Sequence, residues 1–410
     1  MKKSIRLRDN AGLLSVMASV TSICIGLLFG LLLLLLLNPG NALAGMGNLL
    51  SKGFTDVGNV LYRAAPLIMV GLAVAFAYQV GLFNIGASGQ YTVGTFLALT
   101  CAIELQQPWY VCILAAALGG ALWGLFPGLF KALFNVNEVL TAIMFNWIGM
   151  NLVNFLVPNL PRMLDSDWGA SASDRTAALV NANPDAVLPR LGLDKLFHYS
   201  YMNIGIFLAM ILAVVMWVIL KKTTFGYELK ACGHNRDTAV YAGISAKKNI
   251  VLSMVISGAL CGIAGALNIT GISPHGISTL AAFENNGFNG LSVAFIAGCS
   301  PVACIPASLL FAGLIYGGQT VQQTMGAPSE IISIMIGTIV FCMALGGVIP
   351  MLAEHIQRSR AERAEQARKL AAEAGATPVA AAGGERLPEG RGRGRAQGTG
   401  GGVSEGRRTY

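Results

Sequence analysis

Between Arg63 and Gln90 the chain reads RAAPLIMVGLAVAFAYQVGLFNIGASGQ, and Asn84, Ser88 and Gln90 interrupt an otherwise apolar run. Each side chain donates and accepts hydrogen bonds without carrying charge, which suits recognition of a neutral solute rich in hydroxyl and carbonyl groups. Gly81, Gly86 and Gly89 permit sharp backbone turns among them. A polar break within a membrane-length apolar stretch is costly in lipid, because its N–H and C=O groups find no water there. It is tolerated where protein covers it or where it lines a solute path. The competing role for Asn84 and Gln90 is to cap the backbone ends of interrupted helices.

Other neutral amides recur downstream. Asn146, Asn151 and Asn154 lie on one apolar segment, either lining a path or bonding between helices. Asn289, in Phe288-Asn289-Gly290, echoes Phe83-Asn84-Ile85-Gly86 about 205 residues earlier. Both are expected before a small-residue helix, which predicts an internal repeat with broken helices at matching positions. Asn137-Glu138 reads as a helix opening, an Asn cap followed by an acid near the positive end of the helix, with a role at the cytoplasmic mouth as the alternative. Arg63, near the outer end of its segment, is placed to snorkel or to pair with Asp56 or Glu104.

The elements that carry these residues are apolar and long. Of 410 residues 54% are hydrophobic and 12% charged, about half the charge of an average soluble domain. A membrane span needs roughly 20 apolar residues. Candidates run 13–37, 57–80, 82–105, 111–130, 139–157, 203–220, 249–270, 302–320 and 331–350, with a piece at 288–298 too short to cross straight through. The reading is an all-α polytopic membrane protein of about ten segments, one of them short or broken. Lys2, Lys3, Arg6 and Arg8 would also suit a signal peptide, with Ala42-Leu43-Ala44 as its cleavage site, but the apolar core is too long for one. Small-xxx-small spacing at Gly26/Gly30, Gly120/Gly124/Gly128, Gly258/Gly262 and Gly313/Gly317 predicts close helix packing.

Charge sets the orientation. The loop 158–202 is slightly acidic, whereas 221–248 holds six Lys/Arg against Glu228 and Asp237. The positive-inside rule places the basic terminus 1–12, the loop 221–248 and the tail 351–410 in the cytoplasm, and 158–202 outside. The tail begins as a helical continuation and then turns into Ala/Gly/Arg low complexity, which reads as disordered. These basic segments are too short and dispersed for a nucleic-acid surface. The eight cysteines form no C-x-x-C pair and read as small buried hydrophobes. No phosphate-binding loop, metal-ligand spacing or paired membrane acids is present in the sequence, so an enzyme and an ion-coupled carrier both lack their usual residues.

Four pieces, 63–90, 137–157, 223–267 (TTFGYELKACGHNRDTAVYAGISAKKNIVLSMVISGALCGIAGAL) and 287–298 (GFNGLSVAFIAG), resemble the integral-membrane permeases of ABC importers. The branch is the one that includes nucleoside, simple-sugar and branched-chain amino acid permeases. The form GLFNIGASGQ is similar to nucleoside-type members, while sugar-type members carry an aspartate-containing G-I-D-L-S motif there. The resemblance implies a non-enzymatic transport subunit in a bacterial inner membrane, with Asn84, Ser88, Gln90, Asn146, Asn151 and Asn289 along the path. It also implies that the chain binds no cofactor, since ATP and magnesium belong to a separate ATPase. Further implied partners are a second permease, related or identical, and an extracytoplasmic substrate-binding lipoprotein. The ATPase would dock on 221–248, where Asp237-Thr238-Ala239-Val240-Tyr241-Ala242-Gly243 keeps the E-A-A-x-x-x-G spacing with Asp for Glu and Thr for the first Ala. Glu228, Asp237, Ala239, Tyr241 and Gly243 are the implied coupling residues. Asp237 favours a helix start, Gly243 a helix stop, and Tyr241 offers a partner-facing anchor.

Overall fold

The computed structural model describes residues 24–36, 38–169, 175–271, 285–325, 333–338, 341, 342 and 359. The chain divides into two compact units, Met1–Leu352 and Ala353–Tyr410. The expected terminus 1–12, most of the span at 331–350 and the tail lie outside the described residues, apart from position 359.

The described part is helical, with no strand and a single isolated bridge between Leu164 and Thr176. After α1 (Cys24–Leu36) come α2 (Ala42–Thr55), α3 (Val57–Tyr78) and α4 (Ala87–Leu99). A π-helical turn, Thr100–Glu104, extends α4. Then follow α5 (Trp109–Phe134) and α6 (Glu138–Leu156). The loop 158–202 carries two one-turn helices, α7 (Leu179–Ala182) and α8 (Leu193–Leu196). The chain continues through α9 (Gly205–Lys222), α10 (Thr224–His234), α11 (Arg236–Tyr241) and α12 (Ala246–Thr270). It reaches α13 (Asn285–Ile296) and α14 (Cys304–Met325). Among the described residues six helices are long and apolar enough to cross a membrane: Val57–Tyr78, Trp109–Phe134, Glu138–Asn159, Gly205–Lys222, Ala246–Thr270 and Cys304–Gln323.

α3 is the axis of the bundle. It is apolar around its whole circumference and buried almost throughout, as a helix enclosed by other helices must be. α12, α13, α14 and α9 pack against it. α12 also lies against α4 and along much of α5. That closeness comes from glycine: a Cβ at Gly258 would collide with the Gly120 carbonyl, and one at Gly262 with the Ala116 carbonyl. Backbones in such contact gain dispersion energy that lipid cannot replace.

Three differences from the sequence reading have physical causes. α2 was not expected, because its 14 residues are too few to span; it packs instead on α14, where Gly53 meets the backbone of Gly313. The helix expected from 82 starts at Ala87, because the polar break occupies 82–86. Phe288-Asn289-Gly290 lies inside α13 rather than before a helix, so it does not match the position of Phe83–Gly86. There the missing side chain of Gly290 admits Val70 of α3.

Candidate functional site

α3 ends at Tyr78, and Gly81 turns the chain with φ +76°, a conformation that glycine adopts without a Cβ penalty. A tight turn follows, with Ile85 N–H donating to the Phe83 carbonyl at 2.9 Å. α4 begins two residues later. The break is stitched by side chains from other helices. Asn146 of α6 donates to the Ile85 carbonyl at 3.0 Å and accepts from Gly89 N–H at 2.8 Å, so one amide satisfies both sides of the gap.

Asn84 and Gln90 bond each other reciprocally. Asn84 Nδ2 donates to Gln90 Oε1 at 2.8 Å, and Gln90 Nε2 donates to Asn84 Oδ1 at 3.2 Å. Asn84 Nδ2 also donates to Ser257 Oγ at 2.7 Å, and Ser257 donates to the Ala73 carbonyl of α3 at 2.7 Å. Asn84, Gln90, Asn146 and Ser257 are all buried. This neutral chain of hydrogen bonds ties α3, the break, α4 and α12 together without burying charge. In this conformation the two amides engage protein groups.

The remaining amides part company. Asn151 is exposed and donates to its own helix at the Trp147 carbonyl, 2.8 Å away. Asn154 and Asn289 are half-buried. Ser88 is fully buried, and its hydroxyl has no partner among the described residues. Beside it, Asn286 of α13 donates to the Tyr91 hydroxyl at 3.3 Å. Ser257, Tyr91 and Asn286 belong to this cluster and were missed. Ser257 precedes Gly258 in a stripe legible only as packing, and the other two carry no distinguishing pattern.

The loop 221–248 folds as two short helices. Asn235 caps α11 by accepting from Thr238 N–H at 3.0 Å, which puts Asp237 in its first turn. At the other end Gly243 has φ +82° and donates to the Val240 carbonyl, while Ile244 N–H reaches the Ala239 carbonyl, both at 3.0 Å. That pair of bonds is a Schellman stop, and it requires a left-handed residue at 243. Ala239 is buried, whereas Tyr241 is 93% exposed. Glu228 accepts from Asn249 of α12 at 3.1 Å, anchoring the loop to the bundle.

Asn137 accepts from the N–H groups of Val139 and Leu140, and Glu138 pairs with Lys131 at 2.9 Å. Arg63 pairs with neither Asp56 nor Glu104; its Nε donates to Asn59 Oδ1 at 2.6 Å and its guanidinium lies over the Tyr316 ring. Asp56 is occupied capping α3 at Asn59 N–H and accepting from the Tyr316 hydroxyl. Among the described residues no group of His, Cys, Asp or Glu could hold a metal.

A bundle on a buried axis, with six helices long and apolar enough to cross a membrane among the described residues and a neutral polar seam across a backbone break, has the build of a multi-pass membrane protein. The chain belongs to the family described as branched-chain amino acid transport system / permease component, whose model matches residues 56–344. It is 35% identical over 292 residues to the guanosine ABC transporter permease protein NupP of Bacillus subtilis, covering 70% of this chain and 80% of that one. It is 33% identical over 322 residues to the nucleoside ABC transporter permease protein NupB of Lactococcus lactis, covering 77% and 85%. The glucose ABC transporter permease protein TsgB13 of Haloferax volcanii is 28% identical over 292 residues, covering 69% and 73%. No solved structure gives a significant match.

Proposed function

We propose that this chain is the membrane permease subunit of an ATP-driven ABC importer and forms the translocation path for nucleosides. The observation that carries the cargo is its likeness, over most of both chains, to permeases named for guanosine and nucleosides. The neutral seam around Asn84, Gln90 and Asn146 is in keeping with it, since an uncharged solute needs amides and hydroxyls and no counter-ion. The sugar reading, favoured by the glucose permease relative, keeps the machine and changes the cargo.

The assembly we infer has ten segments in a bacterial inner membrane, both termini in the cytoplasm, and the 158–202 loop outside. The chain itself catalyses nothing and binds no cofactor. A separate ATPase docks on α10 and α11, with Tyr241 as its anchor. A second permease, related or identical, completes the path, and an external substrate-binding lipoprotein delivers solute. Nucleic acid is not a partner. The test is uptake of labelled uridine, adenosine and ribose by cells with and without this gene, with the partner ATPase separately inactivated. Loss of nucleoside uptake in both strains supports the reading. Loss of ribose uptake alone removes the nucleoside assignment, and uptake that survives ATPase inactivation removes the ABC assignment.

A further inference from the structure

Three threonine hydroxyls along α4 and its π-helical extension find carbonyls one turn back. Thr92, Thr95 and Thr100 donate to the carbonyls of Ser88, Tyr91 and Phe96 at 2.9, 2.8 and 2.9 Å. Ser88 has no such partner because it is the second residue of α4. Four residues before it stands Asn84, in the break, whose carbonyl is not part of a helical turn. The break therefore leaves a hydroxyl that is fully buried and has no partner among the described residues, at the positive end of a 13-residue helix.

Among the described residues, α13 packs directly on Ser88. Gly287 sits so close that a Cβ there would lie 2.5 Å from Ser88 Cα and 2.8 Å from its Cβ. The adjacent Asn286 reaches the Tyr91 hydroxyl, which lies three residues along α4 and on the same face as Ser88. Among the described residues, the contact between α13 and α4 is thus glycine against backbone, edged by the neutral hydrogen bond from Asn286 to Tyr91. Asn84 and Gln90, by contrast, are fixed by each other and by Ser257.

We propose that the Ser88 hydroxyl, flanked by Tyr91 and Asn286, is a cargo contact that α13 covers in this conformation and uncovers when it parts from α4. The hydroxyl both donates and accepts, and among the described residues no charged side chain lies in the cluster, so the fitting ligand is a neutral group such as a pentose hydroxyl or a base carbonyl. The proposal deepens the importer reading and rests on it for the cargo. Asn84 and Gln90 then hold the break in shape while Ser88 meets the solute.

The experiment compares wild type with Ser88→Ala in the assembled transporter, using uptake of labelled nucleosides, ribose, glucose and leucine alongside the melting temperature of the purified complex. The expected result is a KM raised roughly five- to tenfold with the maximal rate retained, the loss of one hydrogen bond to bound solute. The melting temperature is expected to stay level or rise, since the alanine removes an unpartnered polar group. A KM within about twofold of wild type overturns the proposal. So does a raised KM with a lowered melting temperature, which would mark Ser88 as packing. If the wild type imports a sugar or leucine instead, the nucleoside reading falls, and the same comparison on that cargo still decides the role of Ser88. A wild type that imports none of them overturns both.

Discussion

Removing Asn84 should cost more than the hydrogen bonds it makes. Asn84→Ala deletes the donor to Gln90 Oε1 at 2.8 Å, the acceptor for Gln90 Nε2 at 3.2 Å and the donor to Ser257 Oγ at 2.7 Å. Gln90 is 1% exposed, so its amide would be left buried without Asn84 at either end. Each orphaned buried group costs about 1–3 kcal/mol, although interhelical bonds measured in lipid average nearer 0.6 kcal/mol. We therefore expect about 3 kcal/mol for Asn84→Ala and about 2 kcal/mol for Gln90→Ala, in which Asn84 keeps Ser257. The double variant removes both unsatisfied partners together, so it should lose about 3–4 kcal/mol, a coupling of about 1–2 kcal/mol. Reversible unfolding of the four proteins in mixed micelles reads this directly. Effects that add within about 0.5 kcal/mol would refute the reciprocal pair, and with it the account of how the break is held.

Further outcomes follow from packing and exposure. Tyr241→Ala should leave stability within about 0.5 kcal/mol, since its side chain touches little of the bundle, while ATP-driven uptake falls at least about tenfold; unchanged uptake would remove Tyr241 as the ATPase anchor. Gly258→Val drives a side chain into the Gly120 carbonyl and should destabilise by about 3 kcal/mol or more, read as loss of folded protein in detergent. Gly47→Ala, on α2 with nothing within 4 Å of the new Cβ, should instead stabilise by about 0.5–1 kcal/mol in the same assay.

Where a structural signal lies along the chain, the sequence carried it. Spans such as 111–130 and 249–270 reappear as α5 and α12, because twenty apolar residues leave the chain few alternatives to a buried helix. The break was legible from Gly81, Asn84 and Gly86, since polar groups and glycine inside an apolar run have to be accommodated by a turn. The stop at Gly243 was legible for the same local reason. Signals that depend on which helices meet were not legible. Asn146 and Asn151 have the same side chain on the same helix, yet one is stitched into the break and the other is exposed, because five residues turn a helix by more than a third of a circle. Ser257 becomes part of the site only through the glycine contact that brings α12 against the rest of the bundle. The echo of Phe83–Gly86 at 288–290 failed for the converse reason. A short shared string was read as a shared position, whereas Gly290 serves a helix crossing with Val70.

The central claim is ATP-driven movement of nucleosides through this bundle. Its most direct test is accumulation of labelled guanosine and adenosine in proteoliposomes holding the chain with its ATPase, its partner permease and the binding protein. ATP, and not a non-hydrolysable analogue, should drive accumulation, and excess unlabelled nucleoside should suppress it while ribose and leucine do not. Accumulation without ATP, or suppression by ribose or leucine instead, would contradict the account.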